Sequence, residues 1–177
     1  MARKSKRSMI RAARGLPDAG VDILAIEKIR TNGGTQPREA LDLDLVDLYA
    51  GKVARAASER AGRLVDSHGA PFPPVTVYHD GEEHWLADGF HRLNAAKKLG
   101  LESIGVTVHQ GTVRDAKLHS FGVNEEHGKR RTNKDKKRAV DAMLRDEEWF
   151  EWSDRRIATA CKVSNTFVGK RRTILVR

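Results

Sequence analysis

The stretch from Pro71 to Gly100 leaves this chain few ways to fold. Pro71, Pro73 and Pro74 rule out a helix at its start, because proline lacks the amide hydrogen a helix needs. Val75-Thr76-Val77-Tyr78 then alternates and is rich in β-branched side chains. Asp80-Gly81 supplies a tight turn and His84-Trp85-Leu86-Ala87 follows, so the segment reads as a hairpin. Asp88-Gly89 breaks the second strand. A helix is expected from about His91 to Leu99, with Phe90, Leu93, Ala96 and Leu99 on its inner face and Gly100 closing it.

The flanks extend this pattern. Val21 to Ile29 reads as a first strand, stopped by Thr31-Asn32-Gly33-Gly34. From Leu41 to about Val65, Leu45, Leu48, Tyr49, Val53, Ala56 and Ala57 return at helical spacing. Gly105 to Gln110 reads as a strand and Thr112–Gly122 as a helix. From Asn133, taken as an N-cap, the pattern is wholly helical, with Val140, Met143 and Leu144 as a stripe and Trp149, Phe150 and Trp152 as core. The expected class is α+β: a small mixed β-sheet with helices, followed by an all-helical region. Residues 1–18 read as a basic, mobile arm, 19–122 as the mixed domain and 123–177 as the helical region.

Charge suggests a partner. Residues 1–20 carry six Lys/Arg against one acid, residues 21–120 twelve against fourteen, and residues 121–177 fifteen against nine. A near-neutral middle between basic ends suits a polyanion such as double-stranded DNA. No window holds the roughly 18 apolar residues of a membrane span, and no secretory signal follows the basic start. Cys161 is the single cysteine, so an internal disulfide and a thiolate metal site are both excluded. A reducing, bacterial cytoplasm is the expected location, with nucleoid association following from DNA binding.

Residues 154–174 carry a helix-turn-helix pattern. Ser153 caps a first helix, Asp154–Cys161, and Ser164 lies in the turn and caps a second, from Asn165 past Arg171. Ile157, Ala158, Cys161, Val163 and Val168 close the core between them. Ser164, Asn165, Thr166, Gly169 and Lys170 would then meet DNA from the second helix, while Lys162, Arg171 and Arg172 would face phosphates. Lys162 stands where such turns usually place Gly.

A second constellation is Asp88-Gly89-Phe90-His91-Arg92, joining a strand to a helix. Free N–H groups at a helix start, with the helix dipole, favour an anion there. Gly89 permits the close approach, and His91 and Arg92 add donors, Arg92 through a two-pronged grip. Asp88 could hold Mg²⁺ or act as a catalytic base, which leaves open a metal-dependent nuclease or nucleotidase, or a small-molecule phosphotransferase. Of the other histidines, His68, His79, His84, His109 and His119 show no ligand spacing.

Three segments in order, Gln36-Pro37-Arg38, the run from Pro74 to Gly100, and Asn124 to Arg131, resemble the three boxes of the ParB/sulfiredoxin-like family. The resemblance covers about residues 21–177. It implies a nucleotide site, CTP in the partition proteins and CTP or ATP here, formed by Gln36, Arg38, Gly89, His91, Arg92, Asn124 and His127. Asn124 and Glu125, with Glu126 nearby, would hold Mg²⁺ through the nucleotide. Phe90 and His91 stand where the family has Glu and Arg. Phe90 also occupies the position of the sulfiredoxin cysteine, so peroxiredoxin repair is not expected. The resemblance implies a role in plasmid, phage or chromosome partition or in transcription regulation. ParB proteins usually continue into a dimerisation domain beyond a point like Arg177, so a homodimer here would use another surface.

Overall fold

The computed structural model describes residues 21–36, 38, 41–59, 72–123 and 131–175. The basic arm, His68, Pro71, and Asn124, Glu125, Glu126 and His127 lie outside them. The described chain runs β1 (Val21–Ala25), a 3₁₀ turn (Ile26–Lys28), β2 (Ile29–Arg30), α1 (Leu43–Glu59), β3 (Val75–His79), β4 (His84–Asp88), α2 (Phe90–Lys98), β5 (Ser103–Gln110), α3 (Val113–Gly122), α4 (Asn133–Leu144), α5 (Glu147–Phe150), α6 (Asp154–Cys161) and α7 (Asn165–Leu175). The class is the expected α+β, a five-stranded mixed sheet with helices.

The strand expected over Val21–Ile29 is in fact two. The sheet order is β1-β5-β3-β4-β2, which puts β1 and β2 at opposite edges. At about 4.8 Å per strand, a flat sheet would hold these edges about 19 Å apart. Four Cα steps of 3.8 Å reach only about 15 Å. The sheet must therefore curl, and the turn at Ile26 closes the gap. There the Ile26 N–H still follows the β1–β5 register onto the Glu102 carbonyl at 2.9 Å, and its side chain is buried.

The hairpin forms as its sequence dictates. Asp80 accepts hydrogen bonds from the Glu82 and Glu83 amides and from Trp85 Nε1, which hold its carboxyl down at about 2. Val75 and Val77 point into a cluster with Leu86, Leu93, Val106 and Ile29 beneath α2. On the opposite face, the Tyr78 hydroxyl meets His119 Nδ1 of α3 at 3.2 Å. The far side of α3 contributes Phe121 and Leu118 to a helical cluster with Met143, Trp149, Ile157, Cys161 and Val168. So the sheet and α3 together separate the two clusters.

Several local expectations shift. The N-cap of α4 is Thr132, because Thr132 and Asp135 form a reciprocal capping box that Asn133 cannot make. Phe150 is surface-exposed under Arg172, whereas Trp149 is buried and Trp152 half-buried; the single turn of α5 cannot turn all three rings inward. Leu99 lies past the end of α2 and Leu48 on the outer side of α1, and both are exposed.

A cleft and an exposed helical pair

The end of β4 and the start of α2 open onto a small, partly open cleft. Gln36 and Arg38, Asp88, Phe90 and His91, Ser120 and Arg131 line it. The turn into α2 is tight enough to require glycine. Gly89 has φ +96°, and a Cβ there would lie 2.6 Å from Val75 Cγ1. No side chain caps α2, so its first amides remain available at the cleft.

The cleft brings together Gln36, Arg38, Asp88 and His91 from the expected set. His91 is 1% exposed, and its Nε2 accepts the Asp42 N–H at 3.2 Å, which fixes the ring. Arg38 is buried too. Its own N–H donates to Gln36 Oε1, and its carbonyl accepts from Arg138 Nη1 of α4 at 3.0 Å.

Arg92 is engaged elsewhere. Its Nη1 donates to the Pro73 and Pro74 carbonyls at 2.5 and 2.8 Å, and its Nη2 pairs with Asp88 Oδ2 at 2.7 Å. These bonds brace the proline segment against the helix, and Arg92 does not line the cleft. Asp88, whose carboxylate carries that pair, neither caps α2 nor stands alone as a base.

Arg131 is a member of the cleft that sequence reasoning missed. It is buried and donates from Nη1 to the Phe121 and Cys161 carbonyls at 2.5 and 3.0 Å. It closes the third box, Asn124 to Arg131, but is not among the ligands expected from that box; its other sequence signal is its position just before the Thr132 capping box.

The helical pair forms at the expected residues. Ser153 accepts from the Arg156 amide, and Ser164 from the Phe167 amide, both at 3.3 Å. Lys162 adopts φ +51°, the left-handed conformation that explains why glycine is usual at this point. Ile157, Cys161 and Val168 are fully buried between the helices. A Cβ on Gly169 would lie 3.1 Å from Asp154 Oδ2, so Gly169 faces α6 across a close approach rather than outward.

Lys162, Ser164, Asn165, Thr166 and Lys170 are exposed. Arg171 and Arg172 turn inward. Arg171 makes a two-pronged bond to Asp141 of α4 at 2.7 and 2.8 Å. Arg172 bonds Asp154 and the Phe150 and Trp152 carbonyls. Two exposed arginines not singled out from sequence, Arg155 and Arg156, stand on α6, with Arg156 stacked 3.5 Å over the Trp152 ring.

His79 and His84 stack on one another at 4.2 Å, and Tyr78 on His109 at 5.2 Å. Burial lowers the pKa of both His84 and His119, as suits neutral, structural rings. Among the described residues no three His, Cys, Asp or Glu side chains group as metal donors, and no helix is long and apolar enough to cross a membrane.

No protein-family profile matches the chain. A Streptomyces griseus protein described as a possible regulatory protein of the streptomycin biosynthesis operon is 32% identical over 111 residues, covering 63% of this chain and 31% of its own. Transcriptional regulator NovG of Streptomyces niveus is 33% identical over 101 residues, covering 57% and 30%. The matched stretch thus spans under a third of either relative. Among solved structures, the C-terminally truncated chromosome-partitioning protein ParB from Caulobacter crescentus, complexed to the centromeric parS site, aligns with a TM-score of 0.52 at 19% identity. That alignment covers 87% of this chain and 71% of that one, and the likeness is one of fold. The chain therefore resembles the ParB/sulfiredoxin-like family as its three boxes imply.

Proposed function

We propose that this chain is a ParB-like, DNA-binding regulator whose helical pair docks on duplex DNA and whose cleft takes the phosphate end of a nucleoside triphosphate, CTP or ATP. The observation carrying the DNA reading is the outward face of the helical pair. Lys162 and Lys170 flank Asn165 and Thr166, all exposed, beside Arg155 and Arg156 of α6. A helix-turn-helix uses such a face: short polar side chains reach base edges while cations meet phosphates. The two sequence relatives are described as regulators, which favours transcription control over partition. Arg171 and Arg172 support the face from behind through their ion pairs instead of touching phosphates.

The nucleotide reading rests on the cleft. A triphosphate fits donors of this kind: the uncapped start of α2, Gln36, and two buried guanidinium groups. The roles proposed for Asn124, Glu125 and His127 towards a triphosphate and its Mg²⁺ concern residues outside those described. An enzymatic reading through Asp88 gains nothing from its geometry, since Arg92 already occupies the carboxylate.

The test is a gel shift on duplex DNA with Lys162→Ala, Lys170→Ala and their combination. Each is expected to weaken binding and to reduce the salt dependence by about one counterion, while thermal stability stays unchanged. Unaltered affinity and salt slope in the double variant would remove the DNA face from these residues.

A further inference from the structure

Arg131 touches the cleft and both helix ends that border it. Its Nη1 is bonded to the Phe121 carbonyl of α3 and the Cys161 carbonyl of α6. Its Nε and Nη2 are buried and find no hydrogen-bond partner among the described residues, and the residue lines the cleft. The whole residue is 8% exposed. Buried, unmatched donors on a cation are costly and rare in native structures, so the site calls for an acceptor. Burial pushes the Arg131 pKa below its usual value, as does the neighbouring Arg38, yet a guanidinium stays charged. The carboxylate lining the cleft, Asp88, is held by Arg92. An anion is the acceptor this balance favours.

We propose that Arg131 is a latch between ligand and helical pair. A phosphate oxygen in the cleft accepts from Nε and Nη2, the adjacent donors that grip a phosphate side-on, while Nη1 stays on the Cys161 carbonyl. Occupancy then fixes the end of α6 and the left-handed turn at Lys162 that follows it. Arg138 adds a second tie, from α4 to the Arg38 carbonyl on the cleft wall. The ligand is thereby read out on the DNA-binding face rather than only stored. This inference rests on the cleft being a phosphate site.

The experiment is hydrogen exchange on the 177-residue chain, with binding measured in parallel. The probes are CTP, ATP and inorganic tripolyphosphate, and the variants are Arg131→Lys and Arg131→Met. In the native chain, ligand is expected to slow exchange at 88–93 and also at 154–168. Arg131→Lys keeps a cation that can reach the carbonyls but loses the side-on pair. It is expected to bind at least about tenfold more weakly and, at saturation, to protect 88–93 alone. Melting by circular dichroism identifies a variant that does not fold, and the protection pattern of the native chain then decides. Protection confined to 88–93 in the native chain, or a lysine variant indistinguishable from it, overturns the latch and leaves the nucleotide reading standing. Arginine-dependent protection with tripolyphosphate but no binding of CTP or ATP keeps the latch and removes the nucleotide. Binding of none of the three overturns both.

Discussion

Gly89 and Cys161 are the residues whose chemistry is most narrowly set by their surroundings. At Gly89 the positive φ and the 2.6 Å approach to Val75 act together, so Gly89→Ala should cost about 1–3 kcal/mol of stability in a denaturant titration. A loss within error would mean that the turn relaxes freely. Cys161 lies fully buried against Met143 Sδ at 3.3 Å, and burial pushes its thiol from an ordinary 9.0 up to about 12. Its folded pKa is raised, so the stability this group contributes is complete below pH 9 and is lost as pH rises towards 12. Thiol labelling at pH 8 should therefore track global unfolding. Rapid labelling of the native chain would contradict the packing. The Asp-Gly and Gly-Phe-His-Arg positions were legible because turn chemistry is local. The roles of Arg92, Arg131, Arg171 and Arg172 were not, because a guanidinium reaches far enough that only the fold decides which acceptor it meets.

At the scale of elements, the hairpin, α2 and the α6–α7 pair could be read from sequence because each carries its own stop signals. The break at Ile26 could not. Its cause is the curl of the whole sheet, which brings the edges holding β1 and β2 close enough for three residues to join them. The N-cap of α4 slipped by one residue because Thr132 and Asn133 are both good caps, and only the reciprocal bond from Asp135 separates them. The pair of Arg171 with Asp141 ties α7 to α4, with both side chains largely buried. Removing one partner leaves the other charge stranded, so Asp141→Ala should destabilise the protein by about 3 kcal/mol. A double-mutant cycle with Arg171→Ala should show strong coupling between the two. If Arg171→Ala instead leaves the melting temperature untouched and lowers only DNA affinity, Arg171 is a phosphate contact after all.

Across the whole molecule, α3 packs on the sheet face opposite the α2 cluster and gives Leu118 and Phe121 to the helical cluster, and the cleft opens beside its C-terminal end. Ser120 of α3, Asp88 and His91 at the sheet end, and Arg131 from the helical side all meet there. In the proposed function, that convergence is what couples a ligand in the cleft to the DNA-facing surface. The most direct measurement is calorimetric titration of the 177-residue chain with CTP, ATP, cytidine and adenosine, each with Mg²⁺, alone and with duplex DNA. At least one triphosphate is expected to bind, neither nucleoside is, and DNA is expected to shift the triphosphate affinity. Equal binding of a nucleoside and its triphosphate, or no heat from either triphosphate, would contradict a phosphate-gripping cleft.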